Sequence, residues 1–426
     1  MTGKNIFLFG KRALICLLAG TAAGILLLLA VYLLPTAPMT RHVQGSEEIT
    51  FEGAETFTDA IILESAIDNS PGKSIYERAM MIYRPDVEEE NWDPEGTLQA
   101  IREGRELSEM YSREYARYWH GYLVLVKPLL LIFTANQLVA FLAAVQIILL
   151  LGMAAAAKRV GQWKPFLAVF AGWLFMKPLC MASSITMSLC WIITLTGVLY
   201  MMLQAERIQN QADCDILFLV TGMVTSYMDL LTYPVVTLGF LLGALFLLKE
   251  TEHGIRESLW LAVRSCLSWG IGYIGLWGMK WLVADLTLHR GTIKDALWTV
   301  IGRTEAIGGR PRFNGAGYAI TLNFREYESP VYAVAAIVLL LVVILGAGLA
   351  VKRAGAEKTG QKLLPFLAVF VLPFGWILVA QNHSALHAGF TFRILAVAVS
   401  ALVGMGLQEM ALIREKKRNK RKYKKI

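Results

Sequence analysis

Charge is scarce in this 426-residue chain, where Asp, Glu, Lys and Arg make up 17% of the residues against about a quarter in a water-soluble globular domain. Cysteine is equally thin. The five cysteines (Cys16, Cys180, Cys190, Cys214, Cys266) lie in or beside apolar runs and form no CxxC pair, which argues against a disulfide framework or a thiolate metal site and leaves them as small packing residues. The six histidines include no HExxH and no other dense ligand spacing, so no metal is expected. Alternation of period two is missing as well, which removes the β-barrel from consideration.

What the chain has instead is hydrophobicity: 56% of it is apolar, arranged in runs of about twenty residues, the length a helix needs to cross a hydrocarbon core. Backbone polar groups in lipid must be satisfied within the chain itself, and helices do this. The expected fold class is an all-α polytopic membrane protein of about ten transmembrane helices.

Charge gives the order of these spans. The net charge of +8 hides an acidic stretch, residues 36–117, with 18 Asp/Glu against 8 Lys/Arg, while the tail Arg414–Ile426 carries nine Lys/Arg and one Glu. A basic tail directly after an apolar helix is the usual anchor at an anionic cytoplasmic leaflet and does not indicate a nucleic-acid partner. The first apolar run, 13–34, is long for a signal peptide and is followed by Pro35-Thr36-Ala37-Pro38, a poor cleavage site, so it reads as a retained first helix.

The segments then read as follows: 1–35, a first transmembrane helix with a cytoplasmic N-terminus; 36–136, a long non-cytoplasmic acidic loop ending in an interfacial re-entry helix; 137–281, transmembrane helices 2–7; 282–330, a second non-cytoplasmic loop; 331–412, helices 8–10; 413–426, a basic cytoplasmic tail. Short connections placed inside carry Lys158, Arg159, Lys164, Arg207, Lys249, Arg256, Lys352 and Arg353, as the positive-inside rule requires. The expected location is the plasma (cytoplasmic) membrane, with both termini cytoplasmic. Within the acidic loop, 56–68 and 96–119 read as amphipathic helices. The word Pro-Phe-Leu-Ala-Val-Phe occurs at 165–170 and again at 365–370, but the flanks do not align and no duplicated half follows.

Ionisable groups near the membrane are costly and usually face protein or water. Here they gather at the helix ends assigned to the non-cytoplasmic side: Arg117, His120, Lys127, Lys177, Asp229, Lys280, His383, His387 and Arg393. Asp59 stands between aromatic and aliphatic neighbours and reads either as a partly desolvated carboxylate suited to general-base work or as one more acid on a solvated helix face. Glu64 and Asp68, at i and i+4, read as a solvated helix face. Arg117-Tyr118-Trp119-His120 reads either as an interfacial belt or as a seat for a lipid phosphate, with Lys127 assisting. His383, His387 and Arg393 read either as a phosphate- or hydroxyl-binding patch or as capping and interfacial residues, rather than as a metal pair, and Asp229 reads as a helix cap or a binding group.

These features together resemble the GT-C superfamily of membrane glycosyltransferases: a cytoplasmic N-terminus, a long first outer loop with an acid soon after the first span, and basic and histidine-bearing outer helix ends. The resemblance implies a polyprenyl-phosphate-linked sugar as donor, a glycan or protein as acceptor, and a cell-envelope role. It makes Asp59 the catalytic base, with Arg117, Lys127 and Arg393 on the donor phosphate and His120, Asp229, His383 and His387 as further binding residues. Asp59 stands alone between Thr58 and Ala60, where many members carry paired acids. No cofactor follows from the sequence. A transporter, or a non-catalytic membrane assembly or polysaccharide-export partner using the acidic loop for docking, are the alternative readings.

Overall fold

The computed structural model describes residues 3–47, 56–249, 254–305 and 312–423. Helix α1 (Gly3–Tyr32) is followed by a segment that does not span: α2 (Thr36–Gln44), α3 (Thr56–Ile67), α4 (Ile75–Met81), strand β1 (Tyr83–Asp86), α5 (Pro94–Arg102), strand β2 (Tyr111–Glu114) and α6 (Leu123–Leu130). The bundle proper contains α7 (Ala135–Val160), α8 (Trp163–Leu174), the short α9 (Pro178–Ala182), α10 (Ile185–Leu203), α11 (Gln211–Met228), α12 (Val235–Leu248) and α13 (Ile255–Leu288). Two further helices, α14 (Thr292–Thr304) and α15 (Arg312–Arg325), precede α16 (Pro330–Ala354), α17 (Ala356–Val379), the short α18 (Gln381–Leu386) and α19 (Ala388–Thr391), and α20 (Ala396–Tyr423).

Among the described residues, seven helices are long and apolar enough to cross a membrane, the first being Phe7–Tyr32 and the last Ala388–Arg414. The remaining expected spans fall on α8, α11 and α12. Helix α8 has 12 residues and α12 has 14, fewer than an upright crossing needs, and α11 carries Asp213 and Asp215 in its first turns. All but Phe246 of α12 is buried, so protein rather than lipid surrounds it. Its length need not match a bilayer.

Local signals set the helix ends. Thr134 opens α7 with a capping box, its hydroxyl accepting from Gln137 N while Gln137 Oε1 accepts from Thr134 N at 3.0 Å. Ser184 caps α10 by accepting Met187 N at 3.2 Å, and Ser329 with Pro330 begins α16. Gly161 ends α7 at φ 68°, a left-handed conformation that glycine adopts without a Cβ clash.

Helices α11 and α13 pack backbone against backbone. A Cβ on Gly222 would lie 2.1 Å from the Trp269 carbonyl oxygen, and one on Gly272 would lie 2.0 Å from that of Leu219. Each glycine lets the other helix's backbone approach, the small-residue mode of packing between membrane helices. Helix α16 is the opposite case: only Val343 and Ala350 of its 25 residues are buried.

Cross-chain hydrogen bonds gather the connections into two ends of the bundle. One end holds the 36–130 segment, the α8–α10 and α11–α12 turns, α14, α15 and the α17–α20 connection, as in Gly121 N to Tyr227 O at 2.7 Å and Asn323 Nδ2 to Ser384 O at 2.7 Å. The other is basic, with Lys164 Nζ reaching Gln408 Oε1 at 3.2 Å; residues 424–426 of the expected basic tail lie outside the described part.

The loop-bearing end departs from the sequence expectation in three places. The expected helix over 96–119 stops at Arg102, two residues before Gly104 at φ 91°, and the chain then turns into β2, which pairs antiparallel with β1. A small two-stranded sheet, with α5 between its strands in sequence, therefore exists where no strand signal was read. Helix α3 begins at Thr56, as expected, but ten of its twelve residues are buried. Its acids are consequently not a solvated face: Glu64 is 0% exposed and Asp68 3%. The expected loop 282–330 holds the last turns of α13 and the whole of α14 and α15.

Candidate functional site

Two places at the loop-bearing end concentrate polar groups. The first is a cleft of about 410 Å³ above Asp59. Helix α3 forms its floor with Thr56, Asp59, Ala60 and Leu63. Helix α5 supplies Glu95, Gln99 and Arg102, and the chain at Ser183 and Ile185 joins Ala135 and Val139 of α7 to complete it. One wall is thus polar and the other apolar, and the apolar wall belongs to a helix long enough to cross a membrane.

Asp59 holds this cleft together. Its Oδ1 accepts from Ser184 Oγ at 3.1 Å and Thr186 N at 2.7 Å, and its Oδ2 accepts from Ile185 N at 2.8 Å. A carboxylate from α3 thereby satisfies the first donors of α10 and complements that helix's positive end. Glu95, exposed on the opposite wall, accepts a hydrogen bond from the Thr56 hydroxyl.

Behind α3 lies a second layer of charge. Arg84 donates to Glu64 Oε2 at 2.8 Å, stands 3.7 Å from Asp86 and stacks over Trp92 at 4.8 Å. Arg113 donates to Asp86 at 2.7 Å, and Arg78 to Asp68 at 3.1 Å. Burial pushes the Glu64 carboxyl well above its usual range, and the neighbouring Arg84 offsets this only in part. Lys127 is fully buried below the same helix, donating to Ala66 O at 2.6 Å and lying 4.8 Å from the Tyr32 ring.

The second place is built around α14. Arg303 meets His387 Nε2 at 2.5 Å, while Arg117 donates to Thr299 of the same helix at 2.7 Å. His383 bonds to Leu231 O through Nε2 at 2.7 Å, and its Nδ1 is buried with no partner among the described residues. Asp229, 3% exposed, closes the α11–α12 turn by accepting Thr232 N at 3.0 Å. Desolvation governs the titration here. It lifts Asp229 to about 6 and lowers His387 to about 4, the latter helped by Arg303, and it holds His383 well below the usual imidazole range.

The structure therefore distributes the residues singled out from sequence. Arg117, Asp229, His383 and His387 surround α14 and the α11–α12 turn. Asp59 lies in the cleft, and Lys127 lies behind α3. His120, in the left-handed region at φ 55°, is buried between Tyr122 OH at 2.6 Å and Tyr115 O at 2.8 Å. Arg393 is 1% exposed, donates to Gly389 O at 2.8 Å and lies against Phe392 at 4.6 Å.

Sequence reasoning passed over Glu95, Arg102 and Arg303. Each stands among ordinary polar neighbours, and only the folding of α5 over α3, or of α14 over α18, gives it a place. No family model matches the chain, and neither the curated proteins nor the solved structures include one similar to it.

Proposed function

We propose that this chain is a membrane glycosyltransferase that moves a sugar from a polyprenyl-phosphate carrier to an acceptor hydroxyl at its loop-bearing end. The observation that carries this reading is the cleft above Asp59, with one polar wall and one apolar wall against α7. An amphiphilic donor and a water-soluble acceptor need such a boundary to meet. With α8, α11 and α12 counted as crossings, the chain has ten spans with both termini cytoplasmic, in the plasma membrane, and the cleft opens on the non-cytoplasmic side. The GT-C-like reading rests on this topology.

In this reaction the acceptor hydroxyl attacks the anomeric carbon, the bond from that carbon to the phosphate oxygen breaks, and polyprenyl phosphate leaves. Two carboxylates line the cleft. Asp59 spends its lone pairs on Ser184, Ile185 and Thr186, so its part is to position α10 and the cleft wall. Glu95 is exposed toward the polar side and receives the hydroxyl proton. Arg102 and Gln99, on the same helix, face the developing charge of the leaving phosphate.

Purified protein incubated with polyprenyl-phosphate sugars should release polyprenyl phosphate in the presence of an acceptor glycan. Glu95→Gln should lower the rate by at least about 10²-fold, the lower bound for loss of a general base, without altering the melting temperature. Absence of turnover with every common donor sugar, or full activity in Glu95→Gln, would sink this assignment. The docking alternative is favoured by the exposed acids Glu89 and Glu90; it predicts that Glu95→Gln changes nothing while charge reversal at Glu89 and Glu90 abolishes function.

A further inference from the structure

Helix α1 leans on α11 and α13 through small residues. A Cβ on Gly20 would lie 2.3 Å from the Met223 side chain, and one on Gly275 would lie 2.9 Å from that of Leu17. Toward the start of α1, at the end of the bundle opposite the cleft over Asp59, a pocket of about 330 Å³ lies between the three helices. Leu8, Phe9 and Arg12 form its α1 side, and Gln211, Ile216 and Arg264 stand across from them. Arg12 is the last charged residue before the apolar stretch 13–34, so the pocket sits where the helix passes from hydrocarbon to headgroups.

Its charges do not cancel. Arg12, Arg264 and Asp215 line it, two guanidinium groups against one carboxylate. Asp215, 3% exposed, is already engaged: it accepts from Gln211 Nε2 at 2.9 Å and pairs with Arg264. Arg264 gives that pair its Nη2, and a guanidinium carries five N–H donors, so donors remain for a second anion. Arg12 is exposed and makes no ion pair or hydrogen bond among the described residues. The rim beside it is apolar. Leu8, Arg12, Ile15 and Ala19 are all exposed, and their spacing of three or four residues puts them on one face of α1.

We infer that this pocket binds the phosphodiester headgroup of an anionic membrane phospholipid between Arg12 and Arg264, with an acyl chain lying along α1 past Ile15 and Ala19. The forked guanidinium donors match phosphate oxygens. One surplus positive charge matches the single negative charge of a phosphodiester, whereas a zwitterionic headgroup would bring its own cation beside Arg12. A free phosphate offers the same oxygens, but the apolar face that continues from the pocket has a use only for a lipid. Bound there, the phosphate ties α1 to α13. That tie matters because the apolar window of α1 is only 22% buried against the rest of the chain. The inference stands on this pocket and is independent of the glycosyl-transfer reading.

The test is a binding titration of the purified full chain in detergent with dioleoyl phosphatidylglycerol, with dioleoyl phosphatidylcholine and inorganic phosphate as comparators. The expected result is one phosphatidylglycerol bound more tightly than any further copy, weaker binding of phosphatidylcholine, and no displacement by inorganic phosphate. Arg12→Gln, at an exposed position that leaves folding intact, should weaken that first binding about tenfold, the scale of one lost charge-assisted hydrogen bond. Lys11→Gln removes the same charge one residue away, outside the pocket lining, and should leave the first binding unchanged. Arg264 is kept in every variant because the buried Asp215 depends on it. Unchanged binding in Arg12→Gln, equal weakening in Arg12→Gln and Lys11→Gln, equal affinity for phosphatidylcholine, or displacement by inorganic phosphate would overturn the proposal.

Discussion

The carboxylate of Asp59 accepts the backbone N–H of Ile185 at 2.8 Å, across 126 residues of sequence. Together with the bonds from Ser184 and Thr186, this joins the first helix after the α1–α2 segment to the start of a helix in the middle of the bundle. Asp59→Ala would leave three buried donors unsatisfied, a loss of at least about 3 kcal/mol at the usual cost of about 1–3 kcal/mol for each such group. Asp59→Asn, which retains one acceptor oxygen, should lose about half of that. Thermal melting in detergent reads both, and an alanine variant that melts with the parent would show that the cap contributes nothing.

Glu64 and Arg84 form a pair exposed by 0% and 1% respectively. Removing Arg84 leaves Glu64 buried and uncompensated, and removing Glu64 leaves Arg84 only Asp86 at 3.7 Å, so Arg84→Met alone should cost about 3–5 kcal/mol and Glu64→Leu alone somewhat less. The double replacement should recover most of this, because two apolar side chains of similar volume need no desolvation. A double-mutant cycle on melting temperature checks it. Simple additivity of the two losses is the contrary result.

Helices α11 and α13 meet through reciprocal glycines. Gly222→Ala and Gly272→Ala each set a methyl against a carbonyl oxygen about 2 Å away, and a backbone cannot yield as a side-chain tip can. Each should cost at least about 1–3 kcal/mol, as overpacking does. Gly278→Ala on the same α13, where a Cβ meets nothing within 4 Å, is the control and should melt normally.

The Arg303–His387 contact should make the protein sensitive to acid. Arg303 donates to Nε2, so His387 must be neutral there, and its folded pKa of about 4 lies below the ordinary 6.5. The unfolded chain therefore binds a proton that the folded chain refuses. Stability from this site is complete above pH 6.5 and declines as the pH falls toward 4. Asp229 acts in the opposite sense: its folded pKa is raised to about 6 from 3.8, so its contribution declines as the pH rises through that window. His387→Gln should remove the acid-side decline, and Asp229→Asn should remove the other. Identical pH–melting curves for parent and His387→Gln would refute the assignment.

Much of this architecture was legible in the residues. Apolar runs of about twenty placed the spanning helices, and caps such as Thr134 with Gln137 and Ser329 with Pro330 are local patterns readable without coordinates. The short helix at 123–130 was visible as an apolar run that carries Lys127-Pro128. The crowding of ionisable residues at one set of helix ends was visible in the same way.

Partners were a different matter. Nothing within the sequence neighbourhood of Glu64 announces Arg84, since the pair forms only when α3 is covered by β1 and α5. Glu95 and Arg303 carry no local signal, and each gains its place only when its helix folds over α3 or α18. Composition and periodicity determined that the chain is a bundle of membrane helices, because hydrophobic length and backbone satisfaction are properties of each segment by itself. Which charges are paired, which caps reach across the fold and where the clefts open were decided by tertiary packing, because burial and hydrogen-bond partners depend on segments far apart in sequence coming together.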